Sequence, residues 1–268
     1  LGAGRSTGRP ASPFSEPGVI SKLPLQPKRR DLSLDKLCLL FVILFTNMVQ
    51  TISGFAGTML AMPVSILLVG ITDAKIILNT VGLFCCIVMA FQNYRSIEYR
   101  EFFRIIAAMS LGMLLAQGIS GRIRLEFLLV VYGLLIIIIA VRGLMGCREV
   151  NLSGPAIPFL LVAAGILHGL FLSGGALLVI YARQRFPDKS VFRATLTAVW
   201  VFLNSLILAG HLFGGQITPV RLKLILPGMA VSLLGVYFGN LLHNRISRER
   251  FAMLANILLI LSGLSILL

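Results

Sequence analysis

Charge is what this chain has least of. Asp, Glu, Lys and Arg make up 13% of its 268 residues, about half the share of an ordinary soluble domain. Carboxylates are scarcest, ten in all; each falls in the first 36 residues, at the edge of an apolar block or between blocks. No acidic side chain is therefore placed to carry a proton through the middle of a membrane. Metal and disulfide chemistry also lack their parts. The cysteines, Cys38, Cys85, Cys86 and Cys147, lie in or beside apolar segments with no CxxC spacing, and the three histidines are scattered. The expectation is no metal, no cofactor and no catalytic centre. Residues 1–33 hold no apolar stretch long enough for a signal peptide and read as a disordered basic tail rich in Gly, Pro, Ser and Arg.

Basic residues and long apolar runs are what is abundant. A net charge of +14 would suit a nucleic-acid partner, but the cations cluster in the tail and in the short connections between apolar blocks. That is the pattern of side chains flanking membrane spans, so nucleic acid is excluded as partner and lipid takes its place. The hydrophobic share is 57%. Blocks 75–93, 102–121, 126–146, 189–210, 220–243 and 250–268 each suit a helix crossing roughly 30 Å of hydrocarbon. The fold class expected is an all-α polytopic integral membrane protein. Outside the tail, basic residues are denser on the face holding Arg95, Arg100 and Arg245, which favours that face as cytoplasmic.

The remaining blocks pair up as 36–52 with 56–71 and 156–172 with 174–182. Each pair is interrupted by small polar residues, "TISGFAGTMLAMP" at 51–63 and "LSGGALL" at 172–178, and has at least one arm too short to span comfortably. Both read as re-entrant hairpins of half-helices. One constant offset along the chain aligns Gly57 with Gly174, Leu60 with Leu177 and Thr80 with Thr197; a slightly larger one aligns Gly112 with Gly235 and Arg122 with Arg245. The expected organisation is a first transmembrane repeat at 34–146, a linker at 147–155 and a second repeat at 156–268. A hairpin plus three spans crosses the membrane an odd number of times, so the two repeats are inverted.

A helix broken inside a membrane leaves backbone N–H groups that an anion can satisfy without any formal charge on the protein. This points to Ser53, Gly54, Gly57, Thr58, Ser173, Gly174 and Gly175 as substrate-binding positions near the midplane. Asn79, Thr80 and Thr197 are polar residues in the spans that follow. For each, the alternative is plain helix packing or a bond within its own helix. His168, five residues before Ser173, is the candidate for proton coupling, and Lys75 and Arg193 are candidates for drawing anions in at the two mouths, against ordinary snorkelling to the interface. The cluster Glu98, Arg100, Glu101, Arg104 reads as a solvated loop.

The Gly-rich stretches "SGFAGTMLAMP" and "LSGGALLVIYA", with "GMLLAQGISGRI" and "GVYFGNLLHNRI" closing each half, resemble the TauE/SafE family of sulfite and organosulfonate transporters across residues 36–268. Ala56, Thr58 and Ile180 stand where that family more often has Gly, Gly and Pro. The resemblance implies a secondary transporter in the cell (inner) membrane of a prokaryote. Its substrate would be a small inorganic or organosulfur anion such as sulfite, thiosulfate or a sulfonate, with H+ as a possible coupling ion. Two other function classes stay open at this point: an anion channel, and an intramembrane serine protease built on Ser173 with a histidine.

Overall fold

The computed structural model describes residues 32–120, 122, 124–146, 154, 156–243 and 245, and in the C-terminal stretch residues 253, 256, 257, 260, 261, 263, 264 and 267. The expected tail at 1–33, the linker at 147–155 and the last block at 250–268 fall largely outside these residues. Among the described residues the chain is helical throughout: α1 Leu32–Ser53, α2 Gly57–Val69, α3 Ile71–Asn93, α4 Tyr99–Ser120, α5 Leu125–Leu144, α6 Ala156–Phe171, α7 Gly175–Arg185, α8 Lys189–Phe213 and α9 Pro219–His243. Helices α1, α3, α4, α5, α8 and α9 are long and apolar enough to cross a membrane, and the chain is an integral membrane protein.

The two hairpins have unequal arms. Helix α1 runs 22 residues and is a full-length arm, longer than the half-helix expected of 36–52, because its polar residues Thr46, Asn47 and Thr51 bond to carbonyls of their own helix and do not interrupt it. Its partner α2 has 13 residues; α6 and α7 have 16 and 11.

Packing partners are exchanged along the chain. Helix α1 lies against α9 as α6 lies against α4, and α3 lies against α8 between them. Association of helices in lipid gains little from the hydrophobic effect, so small residues that let backbones approach carry it. A Cβ on Gly112 of α4 would overlap the Val162 carbonyl oxygen and stand 2.9 Å from the Gly165 Cα on α6. Across the other contact, a Cβ on Gly235 of α9 would stand 2.8 Å from the Leu44 carbonyl oxygen, and one on Gly239 2.8 Å from that of Met48. The outer faces of α4, α5 and α9 expose Leu111, Leu114, Ile138, Leu226 and Tyr237 to the lipid side.

Of the charged cluster around residue 100, Glu98, Arg100 and Arg104 are exposed, but Glu101 is not solvated. Glu101 sits in the first turn of α4 and is 2% exposed, because α7 brings Tyr181 and Arg185 onto it. The Tyr181 hydroxyl donates to Glu101 Oε2, and Arg185 Nε donates to Oε1 at 2.7 Å. Together these contacts tie the end of the second hairpin to α4. Asp73 of α3 and Arg221 of α9 form a second ion pair, Nη2 to Oδ1 2.8 Å. Because Arg185 stays half exposed, Glu101→Ala is expected to cost about 1–2 kcal/mol, short of the 3–5 of a fully buried pair. Thermal unfolding in detergent checks this, with Glu101→Gln, which keeps an acceptor for Tyr181, expected to lose less.

Candidate functional site

At the first break the chain turns on Gly54, whose φ of +82° only glycine adopts without strain. The N–H groups this exposes are met from within the chain. Ser53 Oγ accepts from Phe55 N at 3.2 Å and Ala56 N at 3.1 Å while donating to the Val49 carbonyl. Gln50 spans the gap: its Oε1 accepts from Gly57 N at 2.7 Å and its Nε2 donates to the Gly54 carbonyl at 3.3 Å. The Gly54 carbonyl also accepts from Trp200 Nε1 of α8 at 2.8 Å.

At the second break Leu172 has φ +55°, an uncommon conformation for a side-chain-bearing residue. Ser173 Oγ donates to the Phe171 carbonyl at 3.0 Å and accepts from Tyr132 OH of α5 at 2.6 Å. The Tyr132 ring stacks on Phe171, centroids 4.6 Å apart. Among the described residues the partners of Ser173 are thus a tyrosine and a carbonyl, and the histidine that a protease nucleophile requires is not one of them.

The two breaks touch. Thr58 Oγ1, in the first turn of α2, donates to the Leu172 carbonyl at 2.8 Å. Gly175, opening α7, lies so close to Phe55 that a Cβ there would stand 2.8 Å from its carbonyl oxygen. Beside this junction is a cavity with about 20 Å³ of space for the centre of a water-sized guest, room for roughly one ordered water. Its wall includes Gln50, Gly57, Thr58, His168, Trp200 and Asn204. His168 Nε2 is 3.0 Å from Asn204 Oδ1 and its ring lies against Trp200. Asn79 Nδ2 donates to the Asn204 carbonyl at 3.1 Å. His168 Nδ1 and Asn79 Oδ1 are buried with no hydrogen-bond partner among the described residues, which is costly unless a guest or water supplies one.

Two cations flank the junction, each reaching from the helix after one hairpin to the break of the other. Lys75 Nζ of α3 donates to the Gly169 carbonyl in the last turn of α6 at 3.0 Å. The backbone of Arg193 in α8 packs on Gly54, and its guanidinium donates to Asn240 Oδ1 at 3.0 Å. Arg193 is 8% exposed, too buried for a side chain that snorkels to the interface. Among the described residues neither cation has a carboxylate partner. The junction therefore carries uncompensated positive charge, where the glycines and hydroxyls alone suggested a site free of charge.

The positions singled out in the sequence divide into three groups. Gly57, Thr58 and His168 line the cavity; Ser53, Gly54, Ser173 and Gly175 build the breaks, and Asn79 reaches the cavity through Asn204. Gly174 is a packing contact, since a Cβ would overlap the Ala164 carbonyl and stand 2.9 Å from His168 Cβ. Thr80 and Thr197 donate to the carbonyls of Ile76 and Arg193 in their own helices. Gln50 and Trp200 were not anticipated. An amide in an apolar span one turn before a break is one signal for the first. For the second, a lone Trp whose N–H must find a partner when buried is another. Among the described residues no cluster of His, Cys, Asp and Glu could hold a metal ion.

Comparison with known proteins adds family membership to this geometry. Residues 39–266 match the family described as Sulfite exporter TauE/SafE. A protein described as "Probable inner membrane transporter protein TsaS", from Comamonas testosteroni, is 26% identical over 180 residues, covering 65% of this chain and 74% of that one. No solved structure matches the chain.

Proposed function

We propose that this chain, which belongs to the Sulfite exporter TauE/SafE family, is a secondary transporter of a small sulfur oxyanion in the inner membrane. Sulfite, thiosulfate and small sulfonates are its candidate substrates. The observation that carries the reading is the junction of the two breaks, where a cavity with His168, Asn204 and Gln50 in its wall lies beside the breaks that Lys75 and Arg193 reach, and among the described residues neither cation has a carboxylate partner. The Gly57 amide, once its Gln50 acceptor is displaced, and the side-chain amide of Asn204 supply hydrogen bonds, and the two cations supply the potential that favours a negative guest. The relative from Comamonas testosteroni, described as a probable inner membrane transporter, supports the same class.

Alternating access follows from the exchanged packing. The placement of α1 on α9 and α6 on α4 supports two inverted repeats with boundaries near 34–146 and 156–268, and rocking of one against the other opens the junction to each side in turn. His168 is the group placed to couple a proton, since it lines the cavity and among the described residues the buried carboxylate, Glu101, is held at the end of α4.

Proteoliposome counterflow tests this reading. Labelled sulfite or thiosulfate is expected to accumulate transiently in vesicles preloaded with the unlabelled anion. Flux without counterflow would identify a channel, and no anion-dependent flux would sink the transport reading.

A further inference from the structure

An oxygen atom already occupies the place where the proposed anion would sit. Gln50 is 6% exposed, and its Oε1 lies 2.7 Å from Gly57 N in the opening turn of α2, where an oxyanion is best stabilised. The other end of the amide is held loosely: Nε2 reaches the Gly54 carbonyl at 3.3 Å and Cys86 Sγ at 3.8 Å, both long contacts. Gln50 and Gly57 line the same cavity as Asn204 and His168, and His168 Nδ1 is buried without a partner there. A cavity with a free polar atom on one wall and a neutral acceptor bound to the helix start on the other is set up for exchange of that acceptor.

We infer that Gln50 is a specificity-determining internal competitor: its amide oxygen fills the α2 amide site when the cavity is empty, and only an oxyanion displaces it. This rests on the anion-transport reading. A neutral amide oxygen is a weaker acceptor for backbone N–H than a charged oxygen, whose hydrogen bonds are about twice as strong. An oxyanion therefore wins the exchange. A neutral solute with oxygens of the same shape has no such advantage and is refused. The selectivity comes from a threshold set by the protein's own side chain.

Binding of sulfite, thiosulfate and the neutral dimethyl sulfone to the purified full chain tests the inference. Gln50→Ala removes the competitor and is expected to tighten sulfite binding about fivefold, the equivalent of one displaced hydrogen bond of about 1 kcal/mol. Dimethyl sulfone should become measurable as a ligand in the same variant. Gln50→Glu ties a carboxylate to the site and, read at pH 8, is expected to weaken sulfite binding at least tenfold. A side chain that only caps α2 would give weaker binding in Gln50→Ala and no gain for the sulfone, which overturns the inference. If Gln50→Ala does not fold, the isosteric Gln50→Glu decides alone, and unchanged affinity in it overturns the inference. Wild-type protein that binds none of the anions removes the transport reading and the inference together.

Discussion

Gly112→Ala and Gly165→Ala are each expected to leave little folded protein, although each adds one methyl group. The methyl on Gly112 would overlap the Val162 carbonyl oxygen, and that on Gly165 would overlap the Met109 carbonyl and stand 2.7 Å from its Cα. These neighbours are backbone atoms of facing helices, so no rotamer change relieves the contact. Helices α4 and α6 would have to separate along one of the most extensive contacts in the molecule. Overpacking of a core costs about 1–3 kcal/mol where side chains can shift, and a backbone contact belongs at or above the top of that range. Against a total stability of roughly 5–15 kcal/mol, the expected result is a large fall in melting temperature or loss of the monodisperse peak in detergent. Gly118→Ala on the same helix is the control, because a Cβ there meets nothing within 4 Å. It should be neutral or stabilising by up to about 1 kcal/mol through helix propensity. Equal behaviour of Gly112→Ala and Gly118→Ala would show that the close approach of α4 and α6 is unimportant.

Neutralising the two cations is expected to have the largest effect on transport among changes that leave the fold intact. A unit charge roughly 8 Å from a bound anion, at an effective dielectric of about 20, contributes about 2 kcal/mol, or some thirtyfold in affinity. Lys75→Gln and Arg193→Gln keep hydrogen-bond donors for the Gly169 carbonyl and Asn240 Oδ1 while removing the charge. Each should raise the half-saturating concentration of the anion by about ten- to thirtyfold, and the double variant more. Arg193→Lys, which keeps the charge, should recover most of the affinity. If the charge-neutral variants transport like wild type, the cations serve structure alone and the anion must be held by hydrogen bonds.

How much of this could be read in the residues depends on whether the cause was local. The first break follows from Gly54, whose effect on the backbone acts where it stands, whereas the second turns on Leu172, and the glycines at 174 and 175 admit close neighbours. The docking glycines were visible as an internal likeness between Gly112 and Gly235, which lie against α6 and α1 respectively. Gln50 was missed because its partner is Gly57, across the break from it, and its place as an amide in an apolar span one turn before the break is the one local mark it carries. Thr80 and Thr197 align between the halves yet spend their hydroxyls on their own helices, an outcome decided by side-chain rotamers that alignment does not record. Glu101 looked solvated among charged neighbours because the residues that bury it, Tyr181 and Arg185, arrive from a helix eighty positions later.

The docking of α1 on α9 also bears on how the chain is made. Helix α1 enters the bilayer well before the surface that receives it, which begins only at Pro219, so α1 must wait in lipid with its future contact face bare. That face carries Asn47 and Thr51 beside Thr46, polar groups that lipid cannot solvate. Each donates to a carbonyl one turn back in α1 itself, Asn47 to Ile43, Thr51 to Asn47 and Thr46 to Val42. The same bonds that leave α1 unbroken in the finished protein make it a self-sufficient span during synthesis, able to stand alone until Gly235 and Gly239 arrive.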